Sequence, residues 1–207
     1  MLKQKRRWIK AITGGLVLCL LTSLCGLYGR CEGVRSSVVR LHILANSDSE
    51  ADQTLKLQVR DAVVEAAAGW LDGATTTEEA LAAAAARLPA LQQVAQQTVR
   101  QAGYTYPVQA TLCRMYFTTR RYDTVTLPAG MYDAVRLTIG EGEGQNWWCV
   151  VYPPLCAGAA TNQMDLSQVL DPSQEELVTG GEQYVIKFWI VEWLEQLLHI
   201  FRQDWVS

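Results

Sequence analysis

His42, Ser47 and Asp48 lie close together in the chain, and their types are those of a general base, a nucleophile and an orienting acid. Such a trio would serve a secreted hydrolase acting on cell-wall or peptide substrates. Its setting argues for another use. His42 lies within Val38 to Ala45, a short β-branched run that reads as a strand, and Asn46-Ser47-Asp48 follows with helix-capping chemistry. Ser47 with Glu50 three residues on matches a capping box, so Ser47 and Asp48 are more simply used to start the next helix. For His42 the expectation is a structural hydrogen bond. The chain has no Gly-x-Ser-x-Gly elbow, no His-Glu-x-x-His and no paired-carboxylate motif.

The six cysteines offer a second chemistry. Cys149 and Cys156 bracket a segment containing Pro153-Pro154, whose turn would bring the two sulfurs together; two buried free thiols are the alternative. A disulfide there would add roughly 2.5 kcal/mol in the chain-entropy picture. Zinc is not expected, since only His42 and His199 are available to join scattered cysteines and no short paired spacing occurs. No cofactor motif is present either. Gly140-Glu141-Gly142-Glu143-Gly144 resembles a phosphate loop only in its glycines: its carboxylates would repel a pyrophosphate, and it reads as a hairpin connection.

The elements that must position these residues begin after a distinct leader. Lys3, Lys5, Arg6, Arg7 and Lys10 precede an uncharged apolar run from Ala11 to Tyr28. A basic head followed by such a run is a signal peptide or a transmembrane anchor, and its charge asymmetry sends the rest of the chain across the membrane. The expected division is a leader or anchor over 1–30 and an exported domain over 31–207. All 21 acidic residues follow the leader while five of the 18 basic residues precede the apolar run, leaving 13 against 21 and a net charge of −8. That surface disfavours nucleic acid, whose binding needs lysine and arginine on phosphates.

Apolar residues at helical spacing place one helix over about 49–71 and a second, alanine-rich one over 78–102, opened by a Thr76/Glu79 capping box and ended at Gly103. Pro89 should kink or split the second. Beyond it the pattern becomes extended over Tyr104–Phe117, Met131–Ile139 and Asn146–Tyr152, with a turn at Leu127-Pro128-Ala129-Gly130. Asp171-Pro172 starts a short helix that Gly180-Gly181 stops. Tyr184 to Phe201 is apolar on all sides, a strand continuing as a helix, with burial, a protein partner and the membrane surface as its possible uses. The predicted class is α+β: a strand, two or three helices, a mostly antiparallel sheet and a C-terminal helix.

Three segments carry a resemblance. Arg40-Leu41-His42-Ile43-Leu44-Ala45-Asn46-Ser47-Asp48 with Leu55-Lys56-Leu57-Gln58-Val59-Arg60-Asp61-Ala62, then Leu127 to Tyr132, then Gly144 to Cys156, are similar in kind and order to the stage II sporulation protein R family. The resemblance implies an endospore-signalling protein, made in the forespore and exported into the space between the septal membranes. There it would activate a membrane-embedded protease that processes pro-sigma-E, with no reaction of its own. Cys113 departs from the family pattern, and the long leader leaves release and tethering both open. The contact surface for that partner is expected to include Trp147, Trp148 and the His42, Asn46, Ser47 and Asp48 corner, because aromatic anchors beside polar rims dominate many interfaces.

Overall fold

The computed structural model describes residues 2–67, 73–122, 125–153, 169–180 and 192. Helix α1 (Leu2–Ser36) carries the apolar run, and its first two thirds stand exposed, with Trp8, Ile12, Leu16, Leu18 and Leu20 all uncovered. This is the one helix among the described residues long and apolar enough to cross a membrane, and it fits a signal sequence or an anchor. Its last turns differ. Leu27, Cys31 and Val34 are buried in a core shared with Leu177 and Val178. One continuous helix therefore passes from the apolar segment into the folded body.

Strand β1 (Val39–Leu44) follows and is buried along its whole length. Next come α2 (Glu50–Ala67) and α3 (Thr77–Gln101), the latter opened by the expected Thr76/Glu79 capping box. Helix α3 is not split at Pro89: the helix continues through it with Ala84, Leu91, Ala95 and Val99 still buried. Strands β2 (Val108–Phe117), β3 (Arg120–Tyr122), β4 (Val125–Leu127), β5 (Gly130–Ile139) and β6 (Asn146–Tyr152) complete the sheets, and α4 (Pro172–Thr179) is capped by Asp171. The class is α+β as predicted.

The four-stranded sheet runs β2-β5-β1-β6, and β3-β4 forms a separate ribbon. Strand β1 pairs parallel with β5 and antiparallel with β6, so the sheet is mixed although two of its three pairings are antiparallel. Its alternating side chains explain its complete burial. Leu41 and Ile43 enter a core with Leu55 and Val59 of α2 and Leu91, Ala95 and Val99 of α3. Arg40 and His42 point to the opposite face, beside Phe117, Tyr132 and Trp148. There α1, α4 and the β3-β4 ribbon supply the cover.

Two sequence expectations are corrected, and one element is new. The β2 strand begins at Val108 rather than Tyr104, because Tyr104 N first closes the turn out of α3 onto Val99 O and Tyr106 O accepts from the Gln96 side chain. The β3-β4 ribbon, three residues a side, is too short to leave a periodicity. The glycine-rich segment is no hairpin connection: β5 and β6 both pair with β1 and lie on either side of it, so residues 140–145 cross over the end of β1. Apart from Glu192, the Tyr184–Phe201 segment lies outside the described residues.

A chain beginning at Gly26 keeps every core residue of α1, whereas one beginning at Ser37 lacks Leu27, Cys31 and Val34. Urea titration should find the shorter chain less stable by about 3–6 kcal/mol, at roughly 1.5–3 kcal/mol each for Leu27 and Val34. Equal midpoints would show that the end of α1 is not part of the core.

Candidate functional site

The corner after β1 is built around one carboxylate. Asp52, buried in the first turn of α2, accepts hydrogen bonds from Ser47 Oγ at 2.5 Å and Asn46 Nδ2 at 2.9 Å. Ser47 and then Asn46, with further help from Tyr106 and Ser49, hold the Asp52 carboxyl below the usual aspartate range, because all bond to its charged form. The cap of α2 is Ser49, whose Oγ accepts from Asp52 N at 3.2 Å. This corrects the expected Ser47/Glu50 box: Ser47 is used by the carboxylate, which shifts the helix start two residues on.

The glycine segment seats on this corner through its backbone. Glu141 N donates to Asn46 Oδ1 (3.1 Å), Glu143 N to Asn46 O (3.2 Å), Gly144 N to Ala45 O (3.0 Å) and Gln145 N to Asp48 Oδ1 (2.7 Å). From α2, Lys56 Nζ donates to Gln145 O at 2.9 Å. The approach leaves no room for side chains. A Cβ on Gly144 would lie 2.2 Å from Ser47 O, and one on Gly140, whose φ is +59°, would lie 2.1 Å from Asn46 Oδ1. Asp48 thus braces the crossing segment, where the sequence suggested a helix cap.

His42 lies on the other side of the sheet from α2. It is 3% exposed, stacks on Trp148 with ring centroids 3.9 Å apart, and its Nε2 lies 2.7 Å from Asn146 Oδ1. Since that amide oxygen only accepts, the arrangement assigns the proton to Nε2. Burial, opposed by the Asn146 bond and reinforced by Arg136 and Arg40, pushes His42 down to about 4, so the ring is neutral at pH 7. Arg40, fully buried, sits 4.0 Å from the Phe117 ring centroid and 4.9 Å from that of Tyr132, and donates to the Tyr122 hydroxyl. Burial lowers its pKa from the usual arginine value.

The structure therefore separates the trio with which the chemistry began. His42 bonds to Asn146 and Ser47 to Asp52, on different faces of the sheet, and no bond joins them. Trp147 and Trp148 are also divided. Trp147 packs toward α2 with Arg60 over its ring at 5.4 Å, while Trp148 faces His42; both are half-buried. Cys149 is disulfide-bonded, and Cys19, Cys25 and Cys113 are free; Cys156 lies outside the described residues. Sequence reasoning missed Asp52, Asn146 and Arg136. The one available signal was the polar Asp52 on the helix's first turn, which reads equally well as solvent-facing.

Two measurements check this geometry. Gly144→Ala is expected to lose about 1–3 kcal/mol or more through overpacking against Ser47, whereas Glu141→Ala, which contributes only its backbone N–H, should stay within about 0.5 kcal/mol of the parent. His42 has a folded pKa below its unfolded value, so its contribution is complete above pH 6.5 and fades as pH falls toward 4. Unfolding free energies across that window should drop by up to about 3 kcal/mol, and His42→Gln should flatten the slope; an unchanged slope would place the titration elsewhere.

The comparisons with known proteins agree with these elements. A family model described as stage II sporulation protein R matches residues 35–162, which run from the end of α1 past β6. Stage II sporulation protein R of Bacillus subtilis (strain 168) is 33% identical over 188 residues, covering 79% of this chain and 83% of that protein. No solved structure matches. On sequence and on the extent of the match, the chain belongs to the stage II sporulation protein R family and has a role in sporulation.

Proposed function

We propose that this chain is an exported signal of endospore formation that activates a membrane-embedded protease by binding it, leading to processing of pro-sigma-E. The domain lies outside the cytoplasm of the forespore, tethered through α1 or released by cleavage within it, and itself makes or breaks no covalent bond. The observation that carries this reading is the internal use of the would-be catalytic groups. The His42 ring bonds to Asn146 and the Ser47 hydroxyl to Asp52, leaving no nucleophile beside its base in that trio. Family membership supports the sporulation role, and the apolar α1 supports the route.

The docking surface combines the exposed corner at Asp48, the half-buried Asn46 and Ser47, and the accessible parts of Trp147 and Trp148, with His42 supporting Trp148 from below. A disulfide between Cys149 and Cys156 would tie the chain following β6 back to the sheet. Activation by binding demands preference for the protease's active state, because equal affinity for both states shifts nothing.

The test reconstitutes the full chain, the protease and pro-sigma-E in liposomes and follows release of the pro-sequence. Cleavage should require the chain. Reversing Glu50 and Glu143, exposed beside the corner, together with Trp148→Ala should slow it by about tenfold or more, as loss of an interface anchor does. Full processing by a folded variant would refute the docking surface, and hydrolysis of a peptide or cell-wall substrate by the chain alone would refute the non-enzymatic role.

A further inference from the structure

The sheet face opposite α2 and α3 gathers positive charge: among the described residues Arg40, Arg120 and Arg136 form no ion pair with a carboxylate, and Glu32 of α1 is engaged by Arg35 and Arg114. Arg136 on β5 is the direct cross-strand partner of His42, and Arg40 lies two residues before His42 on β1. Arg120 of β3 approaches the same place, 5.7 Å above the Trp148 ring. The electrostatic influences on Arg40 come from Tyr122, Tyr132 and Arg120, and those on His42 from Arg136 and Arg40; none is acidic. His42 Nδ1, Arg136 Nε, and Arg40 Nε and Nη1 are buried and have no hydrogen-bond partner among the described residues.

Buried donors and charges are ordinarily paired, since an unpaired one costs the full loss of its hydration. For Arg40 the aromatic rings around it offset part of that loss. Arg136 has no ring or carboxylate contact of this kind among the described residues. It is half-exposed, and so are its neighbours Thr111 and Thr138, while Asn146 at the rim is exposed. The face is thus charged within and open at its edge.

We propose that Arg136, with His42, Arg40 and Arg120 behind it and Trp148 as its wall, is a binding site for a carboxylate, supplied by an acidic side chain of the protein partner. The assignment of the partner rests on the function proposed above; the carboxylate site does not. Carboxylate is favoured over phosphate because the donors described on this face are the side chains of Arg136, Arg40, Arg120 and His42. A guanidinium edge matches the planar, two-oxygen geometry of a carboxylate. Bound there, the anion would also favour the charged form of His42, so its affinity should rise as pH falls. The charged and titratable groups facing His42 are Arg40 on its own strand, Arg136 on β5, and Tyr122, Tyr132 and Arg120 around Arg40.

The experiment titrates the full chain in nanodiscs with an acetylated, amidated triglutamate peptide and reads the His42 and Trp148 NMR signals. Saturable shifts are expected, weakened about tenfold or more by Arg136→Gln, in the manner of a lost charge-assisted contact, and unaltered by Arg60→Gln on the opposite face. Thr111→Glu places a carboxylate directly across the β2-β5 pairing from Arg136. That variant is expected to raise the melting temperature and to abolish peptide binding, which keeps the test decisive if Arg136→Gln does not fold. Absence of shifts, or equal shifts from inorganic phosphate, would overturn the carboxylate site. Weakened peptide binding with full protease activation would overturn the partner while leaving the site, and self-association lost in Arg136→Gln would assign it to a second copy of this chain instead.

Discussion

Because β5 and β6 pair with opposite edges of β1, the chain between them must pass over the end of β1 at the point where β1 itself turns into α2. Two backbones then occupy nearly the same space, and side chains cannot stand between them. Gly140 and Gly144 meet that requirement, and the amides of residues 141 and 143–145 meet the polar one by donating into Asn46, Ala45 and Asp48. The Asp52 carboxylate holds Asn46 and Ser47 from beneath and keeps the acceptors aimed. Alternative pairings of β6 would leave these groups without partners, at about 1–3 kcal/mol for each one buried.

That junction fixes the two faces of the sheet and thereby their different chemistry. The face toward α2 and α3 is an apolar core of aliphatic residues and alanine, which supplies stability. The other presents aromatic rings around a buried guanidinium and a neutral imidazole. Replacing buried charges with apolar residues often leaves stability unchanged or improved, so stability alone does not explain Arg40. The proposed carboxylate site gives that buried charge a use.

Long periodic elements were legible in the sequence. The spacing of Leu55, Val59 and Val63 and the Thr76/Glu79 box located α2 and α3, and β-branched content located β1, β5 and β6 nearly to the residue. Pairing was not legible, because nothing local to Gly140–Gly144 distinguishes a hairpin from a crossing over a third strand. The same gap hid the site. Asp52, Asn146 and Arg136 acquire meaning only from strands brought together in space, whereas His42 and Ser47 draw attention by type yet serve separate networks. The short β3-β4 ribbon holds Tyr122 against Arg40 without enough residues to show a pattern.

The leader and the folded body are also less separable than composition suggests, since α1 delivers Leu27, from the end of the apolar run, and Cys31 and Val34, just beyond it, to the core. The membrane-directed segment and the proposed docking domain thus share one helix. All of this presupposes that the corner and the crossing segment form one unit, which amide hydrogen exchange on the full chain and on Asp52→Ala reads directly. Glu141, Glu143, Gly144 and Gln145 should be protected in the parent and should lose protection together in the variant, while α3 stays protected. Rapid exchange at these four amides in the parent chain would contradict the account.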